Sequence, residues 1–252
     1  MPAFLFLALV LGSLFVAGPA RAADLQHTLV WDLSVSGAPV GSRKLTIKYV
    51  PDDKGTRRIL EAFTDIDGQV GPIRARFRQR MTAHVGPHEP ASFHSVVEEN
   101  GRLMEIQGRW TPSAWMVTTT ADRRSRSVDM PLNRVDLSTA DLMDPYTQFG
   151  FDKLAEARVL SAESGDVMQG PVKKLGVEEL EINGVAVQVA GYEWASPQGT
   201  QSFWYSTDGF LVKYQTQLLG VTLDAQLNSP PPGGVDDFPV AAGGASVERV
   251  DL

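Results

Sequence analysis

Apolar and polar residues alternate with a period of two along most of this chain, and this alternation limits the possible folds more than any other feature. In the clearest run, Val221, Leu223, Ala225 and Leu227 are separated by polar residues. Successive side chains of a β-strand point to opposite faces, so the pattern predicts strands with one buried face and one face in water. Comparable runs start near Leu29, Leu45, Leu60, Ile73 and Met104.

Short turn signals separate these runs. Asn100-Gly101, Asn183-Gly184 and Asp208-Gly209 are dipeptides that tolerate positive φ angles in tight hairpin loops. Strands joined by tight turns are antiparallel neighbours. The sequence therefore predicts a mainly β protein of ten to thirteen strands, in a single antiparallel meander that forms a strongly curved open sheet or half-barrel.

One segment departs from the period of two. Residues 138–154 have apolar residues at longer spacing, Ser138 is placed as a helix N-cap, and Pro145 must start or kink a turn. This predicts a short helical insert within the sheet. Asp141 and Asp144 are expected to cap and solubilise this insert, with a carboxylate pair for glycoside hydrolysis as the alternative.

The two ends of the chain differ from the middle. Residues 4–16 are an apolar run, and Ala20 and Ala22 suit a small-residue cleavage site, so residues 1–22 are predicted to be a secretory signal peptide. Residues 23–228 are predicted to be a single β domain, and residues 229–252 a Pro/Gly-rich flexible tail. The expected location is the periplasm, with secretion as the alternative, and no membrane span after signal removal.

Composition excludes several functions. The formal net charge is −7, and a net negative field repels phosphates, so no nucleic-acid partner is expected. The chain has no cysteine, which excludes disulfides, thiolate metal sites and a lipid-modified cysteine. His84, His88 and His94 with Glu89 match no metal-binding spacing, and no nucleotide or calcium motif is present, so neither a metal nor a cofactor is predicted.

A sheet that is apolar on one face needs a cover, and here only the insert is available to provide one. Part of the concave face is therefore expected to stay open to an apolar ligand. Large aromatic rings spread over the strands are the candidate ligand-binding residues, with ordinary core packing as the alternative. They are Trp31, Tyr49, Phe77, Trp110, Trp204 and Tyr214.

Three segments carry a family resemblance: WDLSVSGAPVG at 31–41, FWYSTDGFLVKY at 203–214 and GVTLD at 220–224. They resemble the hairpins of exported bacterial proteins of unknown function with an unclosed, half-barrel β-sheet. Such families are similar in fold to the periplasmic lipoprotein carrier and its outer-membrane receptor, and to an isomerising enzyme of indole-pigment biosynthesis. The resemblance implies a concave apolar surface with helical filling and assigns no catalytic residue.

Four arginines alternate along one run: Arg74, Arg76, Arg78 and Arg80. In a strand their guanidinium groups share one face, which makes them candidate anion-binding residues. The alternative is a set of cross-strand ion pairs with Glu61, Asp65 and Asp67 on the preceding run.

These features favour a non-enzymatic periplasmic protein that binds an apolar or amphipathic ligand, a lipid or acyl chain, in envelope transport or maintenance. One alternative is a small isomerase or lyase that uses the same concavity, with acid-base groups such as Glu193 and Tyr205. The other is an envelope assembly or interaction factor that binds another envelope protein through exposed sheet edges.

Overall fold

The computed structural model describes residues 25–52, 55–70, 73–86, 92–145, 151–218 and 221–232. The predicted signal peptide and residues 233–252 of the predicted tail lie outside these ranges. The first eight strands are β1 (Gln26–Val35), β2 (Ala38–Asp52), β3 (Gly55–Val70), β4 (Ile73–Val85), β5 (Ser92–Glu99), β6 (Arg102–Trp110), β7 (Ala114–Ala121) and β8 (Arg124–Pro131). The others are β9 (Leu137–Ser138), β10 (Glu156–Leu160), β11 (Val167–Ile182), β12 (Val185–Ser196), β13 (Gly199–Ser206), β14 (Leu211–Leu218) and β15 (Val221–Leu227).

All fifteen strands belong to one sheet, in the order β8-β7-β6-β5-β4-β3-β2-β1-β15-β14-β13-β12-β11-β10-β9. Every pair is antiparallel except β9 with β10, which is parallel. The first and last strands pair at the centre, where Trp31 lies opposite Leu227. The sheet is unclosed, and the predicted mainly β, curved open architecture is confirmed.

The number of strands exceeds the predicted ten to thirteen because some strands lack a buried face. Strand β8 is exposed along most of its length, and β11 is exposed from Lys173 to Glu179. A strand of this kind has no need for alternating apolar residues. The period-two signal therefore misses it.

Tight turns connect the strands as their sequences require. Asn100 and Gly101 have φ angles of 49° and 84°, and Asn183 and Gly184 have 49° and 77°, as in two-residue hairpin turns with positive φ at both positions. Asp208-Gly209 differs because β13 and β14 are joined by a longer loop. A Cβ atom on Gly209 would lie 1.9 Å from the carbonyl oxygen of Pro145, so only glycine permits this contact with the insert.

The inward-facing side chains form one apolar cluster, and two loops pack over it. We call residues 139–145 and 161–166 the inner loops. Asp144 forms an ion pair with Arg58 on β3, and the carbonyl oxygen of Leu142 accepts a hydrogen bond from Tyr205 on β13. At the other end, Gly165 lies against Thr119 on β7. The contacts of the inner loops thus reach across the concave face from β13 to β7.

The predicted helical insert is a loop region in most of its described part. It contains a 3-10 helix at Asp141–Met143, and residues 146–150 lie outside the described residues. Ser138 and Asp141 exchange hydrogen bonds: the Ser138 backbone N–H donates to Asp141 Oδ2 at 2.6 Å, and the Asp141 N–H donates to Ser138 Oγ at 3.3 Å. The expectation that Asp141 and Asp144 solubilise the insert is wrong, because both side chains are buried and do not face solvent.

No helix within the described ranges is long and apolar enough to cross a membrane.

Candidate functional site

The inner loops leave part of the concave face uncovered, and a cavity of about 240 Å³ remains there. The cavity is lined by apolar and by polar residues, which we call its apolar wall and its polar wall. The apolar wall consists of Ile66, Phe77, Leu142, Met143, Met168, Phe203, Leu211 and Leu223. Exposed Gln198 lies at one end of the cavity, whereas buried Thr64 and Gln79 lie at the polar wall, so the cavity runs from solvent into the interior.

Three residues of the polar wall belong to one row that crosses four neighbouring strands, and Thr139, Ser161 and Glu163 of the inner loops also contribute to this wall. Trp31 on β1 lies opposite Arg43 on β2, Arg43 opposite Thr64 on β3, and Thr64 opposite Gln79 on β4. We call these four residues the polar row. Arg43, Thr64 and Gln79 line the cavity directly. The row ends at apolar residues on both sides, Leu227 and Val97, so the polar groups are confined to this place.

Hydrogen bonds link the polar row to the inner loops. Arg43 donates from Nη1 to the Tyr214 hydroxyl and from Nη2 to Gln79 Oε1, both at 3.3 Å. Gln79 Nε2 donates to Glu163 Oε1 at 3.2 Å and to Ser95 Oγ at 3.1 Å. The side-chain amide of Gln79 therefore lies between a guanidinium and a carboxylate.

Glu163 is held by the loops themselves. Its Oε2 atom accepts hydrogen bonds from Thr139 Oγ1 at 3.0 Å and from Ser161 Oγ at 3.1 Å. With the Gln79 bond, the carboxylate accepts three hydrogen bonds, which is most of its capacity. Glu163 thus serves chiefly to connect the two inner loops to β4.

Three buried polar atoms of the polar row have no hydrogen-bond partner among the described residues. They are Trp31 Nε1, Arg43 Nε and Thr64 Oγ1. Buried polar groups are normally satisfied, since an unsatisfied one costs about 1–3 kcal/mol. Three unsatisfied polar atoms at adjacent strand positions distinguish the polar row from an ordinary protein core. Such an arrangement can accept a ligand that supplies hydrogen-bond acceptors.

The six aromatic residues predicted to bind a ligand do not lie together in the structure. Phe77 and Tyr214 line the cavity, and Arg43 stacks over the Tyr214 ring at 5.6 Å from its centroid. Trp31 and Tyr49 are buried core residues, and Trp110 is half-buried beside the core. Trp204 lies on the opposite face of the sheet, where its indole N–H donates to Glu178. A ligand-binding role for these six residues stays a prediction.

The four alternating arginines lie on the outer face of β4. Asp67 pairs with both Arg74 and Arg76, at 2.9 and 3.0 Å, and Asp65 pairs with Arg78 at 3.0 Å. These bonds hold the pKa of Asp67 below its ordinary value. Arg80 instead stacks on Phe63, and Glu61 pairs with Lys48. Cross-strand ion pairs are thus present, and the predicted anion-binding role stays a prediction.

The residues named for an acid-base enzyme do not meet at the cavity. Tyr205 is fully buried and donates its hydroxyl proton to the Leu142 carbonyl oxygen. Burial, with the nearby Tyr192 and Asp144, raises its pKa, so it stays protonated. Neither Tyr205 nor Glu193 lines the cavity. His94 is exposed and pairs with Glu105, whereas His88 and Glu89 lie outside the described residues.

The fold places this chain in the class of unclosed, β-barrel-like sheet proteins. A similar solved structure is the crystal structure of a β-barrel-like protein of the domain of unknown function DUF1849 from Brucella abortus. The likeness has a TM-score of 0.54 and covers 81% of this chain and 96% of that one, at 9% sequence identity. At this identity it shows the fold alone.

The sequence then identifies the family. A family model described as a domain of unknown function, DUF6134, matches residues 31–228, and the chain belongs to this family. No curated protein matches the sequence. The predicted resemblance to a β-rich family of unknown function is confirmed, whereas these likenesses lend no support to the similarity with lipoprotein carriers.

Proposed function

We propose that this protein is a non-enzymatic binding protein of the bacterial periplasm, and that its cavity holds one small amphipathic molecule. The observation that carries the proposal is a cavity lined by both apolar and polar residues, in which Arg43 Nε and Thr64 Oγ1 are unsatisfied by the described residues. A ligand with an apolar body and a polar end complements both walls at once. The periplasmic location rests on the predicted signal peptide.

The size of the cavity narrows the expected ligand. A volume of about 240 Å³ is slightly below the range of drug-sized sites. A short acyl chain suits this space better than a whole membrane lipid. A larger groove of about 620 Å³ beside β8 is less suited to hold an apolar ligand, because its charged lining residues Arg102, Arg124 and Arg126 are exposed.

The alternative of an assembly factor that binds through a sheet edge has less support. Strand β8 ends the sheet, but it carries exposed Arg124 and Arg126 and finishes at Pro131. Charged side chains and proline on an edge strand oppose pairing with another chain.

Blocking the cavity entrance tests the proposal. Thr216 on β14 lines the cavity and is half-buried, so Thr216→Trp is expected to fill the space with a ring while retaining a residue suited to a strand. Thr222→Trp on the neighbouring strand is the matched control, because Thr222 is exposed and does not line the cavity.

The measurement is native mass spectrometry of the full chain, with calorimetric titration of 1-octanol and sodium octanoate. We expect one molecule bound per chain in the wild type and in Thr222→Trp, and loss of binding in Thr216→Trp. Binding of neither probe to the wild type, or equal binding by both variants, would contradict the proposal.

A further inference from the structure

The unsatisfied polar atoms of the polar row can all donate a hydrogen bond. Arg43 Nε and Trp31 Nε1 are donors only, and the Thr64 hydroxyl can donate. Of these three residues, Arg43 and Thr64 line the cavity, whereas Trp31 is a buried core residue. A ligand that satisfies this row must therefore supply acceptors. An ionised carboxylate is an acceptor only, whereas an ammonium group is a donor only and cannot satisfy the N–H of Arg43.

The Arg43 side chain has unused binding capacity. A guanidinium has five N–H donors, and Arg43 uses two of them, each on a neutral acceptor at 3.3 Å. No described carboxylate oxygen lies within 4.0 Å of its nitrogens. Arg43 is thus a half-buried cation at the cavity without a direct counter-ion, unlike Arg58 on the next strand, which Asp144 neutralises.

The charged residues of the cavity lining limit the charge that a ligand can carry. Arg43 is the one cationic residue among the described residues that line it, and Glu163 is the one anionic residue. The Gln79 amide separates the two charges. Because these two charges cancel, a singly charged anion bound at Arg43 leaves an excess of one negative charge, whereas a dianion such as a phosphate monoester leaves an excess of two and faces Glu163.

From these observations we infer that the ligand of the cavity is a monocarboxylic acid with a short apolar chain, and that Arg43 binds its carboxylate. This inference rests on the proposed function. The planar carboxylate matches the fork of the guanidinium, and the Thr64 hydroxyl lies on the neighbouring strand to donate a further bond. The chain of the acid packs against Leu142, Met143 and Phe203.

A pair of probes that differ only in the polar group tests the inference. Sodium octanoate and 1-octanol have the same chain length, and only the first has a carboxylate. We expect the wild-type protein to bind octanoate at least about tenfold more tightly than 1-octanol, the factor that a charge-assisted hydrogen bond supplies. Octyl phosphate is expected to bind more weakly than octanoate.

Substitution of Arg43 assigns the effect to one side chain. Arg43→Gln is expected to weaken octanoate binding about tenfold or more and to leave 1-octanol binding within about twofold. Lys44→Gln removes a positive charge from the adjacent, exposed position of β2 and is the matched control, for which neither affinity is expected to change.

The results separate the inference from the proposed function. Equal binding of octanoate and 1-octanol, both lost in Thr216→Trp, would overturn the inference and leave the proposed function standing. Absence of binding by either probe would overturn both. Tighter binding of octyl phosphate than of octanoate would contradict the inference that the ligand carries a single negative charge.

A measurement on the wild-type protein decides the case if Arg43→Gln does not fold. Carbon-13 NMR of carboxyl-labelled octanoate reports the pKa of the bound acid. A guanidinium partner favours the ionised form, so the pKa of the bound carboxyl is expected to lie below that of the free acid. A bound pKa equal to or above the free value would contradict a role for Arg43.

Discussion

Substitution of Asp144 by asparagine is expected to destabilise the protein strongly, because it breaks a buried ion pair that holds an inner loop to the sheet. Arg58 Nε and Nη2 donate to the two carboxylate oxygens of Asp144 at 2.6 and 2.9 Å. The side chains are only 9% and 5% exposed. Asp144 directly follows Leu142 and Met143, so this pair also positions the apolar wall of the cavity.

The expected size of the effect follows from this burial. Removing one partner of a buried ion pair typically costs about 3–5 kcal/mol, because the remaining charge loses its compensation. Asp65→Asn is the matched control: it makes the same chemical change in a pair with Arg78 that is 46% and 39% exposed. An exposed pair contributes about 0–1 kcal/mol.

Urea unfolding at neutral pH, followed by tryptophan fluorescence, measures both changes. We expect a free energy of unfolding lower by about 3–5 kcal/mol for Asp144→Asn and by less than about 1 kcal/mol for Asp65→Asn. The double variant Arg58→Met with Asp144→Leu is expected to recover most of the loss, since it removes both charges. Equal losses for the two asparagine variants would refute the reasoning.

Three further changes test other parts of the fold. Gly165→Ala should cost about 1–3 kcal/mol more than Gly101→Ala, since both glycines have positive φ, but only at Gly165 would a Cβ atom lie 2.4 Å from Thr119 Oγ1; equal urea midpoints would contradict this. Thr64→Val should raise the free energy of unfolding by about 1 kcal/mol, because it removes an unsatisfied buried hydroxyl at nearly constant shape; a lower value would mean that the hydroxyl has a partner. Burial alone would raise the pKa of Asp136, but the hydrogen bonds from Arg158 outweigh burial and lower it. The Asp136–Arg158 pair therefore stabilises the protein above about pH 4, and this contribution is lost as the pH falls through the folded-state pKa of Asp136. Arg158→Gln should lower the urea midpoint more at about pH 6 than at about pH 3. Equal shifts of the midpoint at the two pH values would contradict a lowered pKa of Asp136.

The sequence predicted the strands that bury one face, because burial and alternation have the same physical cause. It did not predict β8, since no side chain there must alternate. It also missed the turns at Ser36-Gly37 and Asp122-Arg123, whose residues adopt positive φ although only one of the four is glycine. There the strand pairing on both sides imposes the turn conformation.

The polar row left a signal in the sequence that could have been used. Arg43 has the same inward register as Leu45, Ile47 and Tyr49, and Gln79 has the same register as Phe77 and Met81. A polar residue at an inward position of an alternating strand must be buried, so it indicates either a satisfied network or a site. Glu163 lies in a loop, where side chains do not alternate between two faces, so the sequence pattern does not indicate that it points inward.

The cost of the polar row supports the proposed binding role over a role in packing alone. Apolar residues at the same positions would avoid the cost of three unsatisfied polar atoms, and each such atom removes about 1–3 kcal/mol from a total stability of only about 5–15 kcal/mol. The row is also confined to four adjacent strand positions between Leu227 and Val97, beside the place where the inner loops leave the concave face open. A ligand that supplies acceptors there offsets the cost and stabilises the folded state in proportion to its concentration and affinity. Thr64→Val therefore separates the two explanations. If the row served packing alone, octanoate would stabilise the variant and the wild type equally, whereas a binding role predicts that octanoate stabilises the variant less than the wild type.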